Sequence, residues 1–239
     1  REARESARRY EEWRSTPAGR RMQAQRDELP SCKSKAELLK AIAASCEPGG
    51  GKGKKAGARA PQVTIVQGET GCGKTTQVGQ FIMDADMESR IVVTQPRRVA
   101  AASVAQRVAD ERGERIGEGT VGFRVRGESK AHPQRCRLLF CTLGVFIRRL
   151  VLGQGGSLLG PDLCTHLVVD EVHERTCEVD FLLTLLKLRL SEFRHLRVIL
   201  MSATMDVVAL GRMFVGAPVV QIPGRTFPVQ EVYLDDVRK

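Results

Sequence analysis

The stretch Gly68-Glu69-Thr70-Gly71-Cys72-Gly73-Lys74-Thr75 fits G-x-x-x-x-G-K-[ST], and no other feature constrains the fold as much. A glycine loop of this form cradles phosphate when it joins a strand to the N-terminus of a helix. The sequence supplies both neighbours. Gln62 to Gln67 is a β-branched run that predicts a strand. From Thr75 to Met87, Val78, Phe81, Ile82 and Ala85 recur at helical spacing. In that setting the loop N–H groups face an anion, Lys74 reaches the β- and γ-phosphates, and the Thr75 hydroxyl serves Mg²⁺.

After Pro61 strands and helices alternate. Ile91–Val93, Val121–Arg126, Leu138–Cys141, His166–Val169, Leu196–Leu200 and Val219–Ile222 read as strands. Arg98–Arg112, Leu143–Val151 and Val179–Leu190 read as helices, and Asp206 is expected to begin a last one. Such alternation predicts an α/β fold, a mostly parallel sheet with helices on both faces. Ligands of these sheets bind beyond the carboxyl ends of the strands. The glycine loop, Asp170 and Ser202 all follow predicted strands, so they are expected to converge there.

A second element narrows the chemistry. Val168-Val169-Asp170-Glu171 is an apolar strand ending in two adjacent carboxylates. Asp170 is placed to serve Mg²⁺, and Glu171 to polarise an attacking water. Phosphoryl transfer to water needs positioning and charge neutralisation more than covalent partners. Two surface acids opening a loop is the plainer alternative, and the complete glycine loop upstream weighs against it.

The flank before Pro61 is different in kind. Net charge is +10, and residues 1–60 hold 15 Lys and Arg against 8 Asp and Glu, or +7 of it. A basic balance suits polyanions, yet here it sits mostly in the flank. Residues 1–25 predict a frayed helical extension interrupted at Pro17 and Gly19, with Trp13 packed on a neighbour. Ser34-x-x-Glu37 has capping-box form ahead of a helix over about 35–46. Glu47 to Pro61 reads as a flexible basic loop. The seven cysteines are scattered without zinc spacing, so reduced thiols and a nuclear or cytoplasmic, non-secreted protein are expected. No apolar run approaches the roughly 18 residues of a membrane span. The first residue is Arg1 rather than Met, as in a fragment.

Three motifs together resemble the first RecA-like domain of a DEAH/RHA-type RNA helicase, closest in wording to the RNA helicase A group. They are Gly68 to Gln77, Asp170-Glu171-Val172-His173-Glu174-Arg175 and Ser202-Ala203-Thr204. Thr94 to Ala101, Val121-Gly122-Phe123, Cys141 to Val145 and Ile222 to Val229 support it, in family order over about residues 29–235. The resemblance implies a RecA-like P-loop fold, ATP and Mg²⁺ as ligands, and RNA as partner: single-stranded backbone, duplex or ribonucleoprotein. It assigns Gly68, Glu69, Thr70, Gly71, Cys72, Gly73, Lys74, Thr75 and Thr76 to the triphosphate. Arg107 goes to the adenine, Thr75 and Asp170 to the metal, and Lys74, Asp170, Glu171 and His173 to catalysis. Ser202 and Thr204 couple hydrolysis to strand movement, and Arg97, Arg98, Thr142 and Gly144 touch the RNA backbone. Residues 1–28 are then a basic helical extension, 29–54 a helix with a Gly/Lys-rich loop, 55–223 the ATP-binding domain and 224–239 the start of a connection. That connection would lead to a second RecA-like domain, which the chain lacks along with its arginine finger.

The sequence departs from the family at several points. Gly79 stands where proline is usual and is expected to loosen the helix slightly. Val172 gives DEVH, Phe123 replaces a tyrosine and Gly127 replaces an aromatic, which leaves a local contact in doubt. A non-catalytic RNA-binding scaffold and a DNA-acting P-loop ATPase are the alternative functions.

Overall fold

The computed structural model describes residues 2–44, 62–152, 160, 162–203 and 207–224. The flank forms α1 (Glu2–Arg14), α2 (Pro17–Asp27), the short α3 (Pro30–Lys33) and α4 (Lys35–Ala44). Then follow β1 (Val63–Gly68), α5 (Lys74–Ala85), β2 (Ile91–Gln95), α6 (Arg98–Glu111), β3 (Val121–Val125), β4 (Glu128–Lys130), β5 (Leu138–Thr142) and α7 (Leu143–Leu152). The last elements are β6 (His166–Val169), α8 (Cys177–Arg189), β7 (Arg197–Ser202), α9 (Val207–Met213) and β8 (Val219–Ile222). The basic loop over 47–61, Asp206 and all beyond Gly224 lie outside the described residues.

The eight strands form one sheet in the order β4-β3-β5-β2-β6-β7-β1-β8. Pairing is parallel throughout except for the β3–β4 hairpin. Strand side chains alternate between faces, and each face carries its own apolar core. Val66, Val168, Ile199 and Met201 join Val78, Phe81, Ala105 and Val108 of α5 and α6 on one side. Ile65, Leu167, Val198 and Leu200 join Phe146, Leu182 and Leu186 of α7 and α8 on the other. The doubly covered sheet expected from the alternation is therefore present.

The flank differs from its expectation. Residues 2–25 form helices rather than a frayed extension: α1 and α2 dock on the sheet's helical layer, with Tyr10 and Arg26 buried. Pro17 starts α2, whose N-cap Thr16 accepts a hydrogen bond from Gly19 N–H at 3.1 Å. Trp13 does pack on a neighbour, its indole lying on Gly113 beyond α6 and stacked with Tyr10. Ser34 is a junction residue at φ −91°, ψ 4° between α3 and α4, not an extended N-cap, so the anticipated capping box gives way to a preceding helical turn. Leu38 and Ile42 of α4 belong to the first core.

Two of the departures acquire reasons. Gly79 is a close-packing position: a Cβ there would lie 2.7 Å from Leu138 Cδ1 of β5. Gly127, at φ +85°, occupies the two-residue turn of the β3–β4 hairpin, and a Cβ there would meet nothing within 4 Å.

Candidate nucleotide site and its surroundings

Gly73 caps the start of α5 with left-handed backbone, φ +91°. A side chain there would also collide with Ser31, whose Oγ lies 2.6 Å from the ideal Cβ position. Glycine is therefore demanded twice, by backbone and by packing. The α5 N-terminus points its free N–H groups into the loop, where an anion is favoured. Lys74 follows at once and is buried. Its ammonium donates to the carbonyls of Gly68, at 2.5 Å, and Glu69, at 3.0 Å. Cys72 is buried in the loop, its N–H donating to Glu69 O at 3.3 Å, and Thr76 Oγ1 donates to Gly73 O at 3.3 Å. The Glu69 side chain lies against Gly224, just past β8. The turn through Thr70 and Gly71, the latter at φ +82°, completes the cradle.

Asp170 follows β6, three strands along the sheet from β1 when both are counted. The sheet nevertheless brings it to the loop: Thr75 Oγ1 donates to Asp170 Oδ2 at 2.7 Å. Gln95 Nε2 donates to the same oxygen at 2.7 Å, and Glu171 N–H donates to Oδ1 at 2.9 Å. Burial pushes the Asp170 carboxyl above its ordinary range, opposed by the bonds from Thr75 and Gln95. Burial also raises Glu171, and the Asp170 charge beside it acts in the same sense. Glu171 sits at φ +55°, a costly conformation for a side-chain-bearing residue.

His173 connects this centre to β7. Its Nδ1 accepts from Ala203 N–H at 3.3 Å and lies 3.3 Å from Glu171 Oε2. One ring nitrogen cannot accept from an amide and donate to a carboxylate at once. Nδ1 therefore bonds either β7 or Glu171, according to the tautomer of the ring. Ser202 is fully buried at the end of β7, opposite Gln67. Thr204 lies outside the described residues.

The other expected residues sit further out. Thr142 ends β5 level with Gln95, and Gly144 in the first turn of α7 faces the Glu178 carboxylate. Arg97 precedes α6 and pairs with Glu174 at 3.2 Å, on the exposed surface, while Arg98 opens that helix. Arg107 is about half exposed on α6, its Nε held by Glu111 Oε1 at 2.8 Å. Gln95 is the residue that sequence reasoning missed. The available signal was a polar side chain at a strand end, the same signal that marked Asp170.

Hard oxygen ligands from Thr75 and Asp170 suit a cation that takes most of its shell from water and phosphate. Among the described residues no cluster of three or more His, Cys, Asp and Glu could hold a metal ion by itself. The arrangement can hold a polyphosphate at a helix terminus, neutralise it with Lys74 and present a carboxylate to a water.

The family profile described as DEAD/DEAH box helicase matches residues 55–210. Over 232 residues the chain is 45% identical to DExH-box ATP-dependent RNA helicase DExH3 of Arabidopsis thaliana, covering 95% of this chain and 18% of that protein. It is 48% identical over 181 residues to DExH6 of the same plant, covering 74% and 14%. It is 45% identical over 183 residues to ATP-dependent DNA/RNA helicase DHX36 of Mus musculus, covering 74% and 18%. The chain thus spans less than a fifth of the length of each of these curated relatives.

Proposed function

Because the chain belongs to the DEAD/DEAH box helicase family, we propose that it is the first motor domain of an ATP-driven RNA helicase or ribonucleoprotein-remodelling enzyme. The observation that carries this reading is the 2.7 Å bond from Thr75 to Asp170, which joins the loop to a carboxylate 95 residues away beside the buried Lys74. In the proposed cycle the loop N–H groups and Lys74 bind the triphosphate of ATP. Thr75 and Asp170 would hold Mg²⁺, which supplies charge neutralisation at the phosphates when bound. Glu171, its proton affinity raised, orients and deprotonates the attacking water. His173 then passes the state of Glu171 to Ala203 and β7 by exchanging one hydrogen bond for the other. Arg97, Arg98, Thr142 and Gly144 form the RNA-backbone side, and a second domain supplies an arginine across the site.

The test is RNA-stimulated ATPase of the full-length protein beside Lys74→Ala and Glu171→Gln. Each substitution is expected to lower kcat/KM by about 100-fold or more. Equal rates in all three would exclude a motor and leave the RNA-binding scaffold. The relative named as a DNA/RNA helicase keeps a second reading in view, that DNA also serves as the track. Strand stimulation by RNA and by DNA, at one stated salt concentration, separates the two.

A further inference from the structure

Helices α1 and α2 reach the nucleotide site through a buried polar cluster. Arg26 of α2 is 4% exposed, and its Nη1 donates to Tyr10 Oη of α1 at 2.7 Å. Its Nε donates to Gln77 Oε1 of α5 at 2.9 Å and lies 3.7 Å from Glu111 Oε2 of α6. Glu111 is 2% exposed and is the hub: Gln77 and Gln80 both donate to Oε2 at 2.8 Å. Its other oxygen holds Arg107 at 2.8 Å. The next segment touches the loop itself, since Ser31 N–H donates to Cys72 O at 3.0 Å and Leu29 lies 3.1 Å from the Gly73 Cβ position.

A buried carboxylate is held in one place only when its donors and countercharge are complete. Arg107 is the one cationic contact of Glu111 that is half exposed; Arg26 is the buried one. Without Arg26, Glu111 loses its interior countercharge and Gln77 loses its donor. The anchor for Arg107 then loosens, although Arg107 itself is untouched. A long side chain held in one pose gives up less freedom on meeting a ligand.

We infer that Arg26 and Tyr10 are positioning residues of the nucleotide site, acting through Glu111 to hold Arg107 against the base. The N-terminal helical pair is thereby part of the ATP-binding apparatus. This rests on the reading of Arg107 as the nucleobase contact. The test measures RNA-stimulated ATP hydrolysis by the full-length protein carrying Arg26→Gln, Tyr10→Phe or Arg107→Ala, alone and combined. Arg26→Gln is expected to raise KM for ATP about fivefold, and Tyr10→Phe about threefold, with kcat within about twofold of the parent. In the Arg107→Ala background neither change is expected to raise KM further, because the route is already cut.

An unchanged KM in Arg26→Gln and Tyr10→Phe, beside a raised KM in Arg107→Ala, overturns the inference alone. If Arg26→Gln does not fold, Tyr10→Phe decides by the same criterion. Equal multiplication of KM with and without Arg107 also overturns it, since the effect then bypasses that residue. A normal KM in Arg107→Ala instead removes the nucleobase reading, and the inference with it.

Discussion

At the scale of single residues, the Asp170 carboxylate is governed by its donors. Burial favours its protonated form, and Thr75 and Gln95 pull the other way. Gln95→Leu removes one donor without removing the site, so the Asp170 carboxyl rises further. The folded state then holds this proton where the unfolded chain has released it. The stability contribution is greatest below the unfolded value and is lost as pH rises through the folded one. On the proposed reading activity runs the opposite way, because the carboxylate would hold the metal. Gln95→Leu is therefore expected to shift the acid limb of kcat/KM for Mg-ATP to higher pH, with partial recovery in alkaline buffer. A pH–rate profile of variant and parent checks this. An unshifted limb would mean that Gln95 only fills space.

At the scale of elements, α5 approaches β5 as closely as Gly79 allows. Gly79→Ala places a methyl 2.7 Å from Leu138 Cδ1, and overpacking of this kind costs about 1–3 kcal/mol. A lowered denaturation midpoint, recovered in part by Leu138→Val, is the expected result. From the sequence alone a slightly loosened helix is expected here. One chain shows no partner for a glycine, and Leu138 is 59 positions away. What was legible follows the same physics. Parallel strands buried on both faces read as continuous apolar runs, so Ile91–Val93 and His166–Val169 stood out. Strand β4, Glu128–Lys130, is exposed along its length and carries no such signal. The loop and Asp170 were legible because each sits at a strand end in a fixed pattern. The docking of α1 and α2 was not, because it is made by Arg26, Gln77 and Glu111, whose polar side chains read individually as solvated surface.

At the scale of the whole molecule, the N-terminal helices are fastened to the sheet's helical layer inside the protein by the Arg26–Glu111 ion pair and by the Arg112 guanidinium over the Tyr10 ring. Arg112, fully buried beyond α6, lies 3.7 Å from the Tyr10 ring centre and donates to Asp84 at 2.7 Å. Arg112→Ala is expected to cost about 3–5 kcal/mol, since it leaves acidic partners without their countercharge. It also uncouples the flank from the core. Trp13, the only tryptophan in the 239 residues, reports the flank directly. In denaturant its fluorescence is expected to change together with far-ultraviolet dichroism in the parent, and ahead of it in Arg112→Ala. Coincident transitions in both would argue that the flank and sheet stay one cooperative unit without Arg112. At the opposite end, Gly224 leaves the sheet against the side chain of Glu69, inside the phosphate loop. A displacement of the backbone at Gly224 would meet the Glu69 side chain, and so would press on the phosphate loop itself.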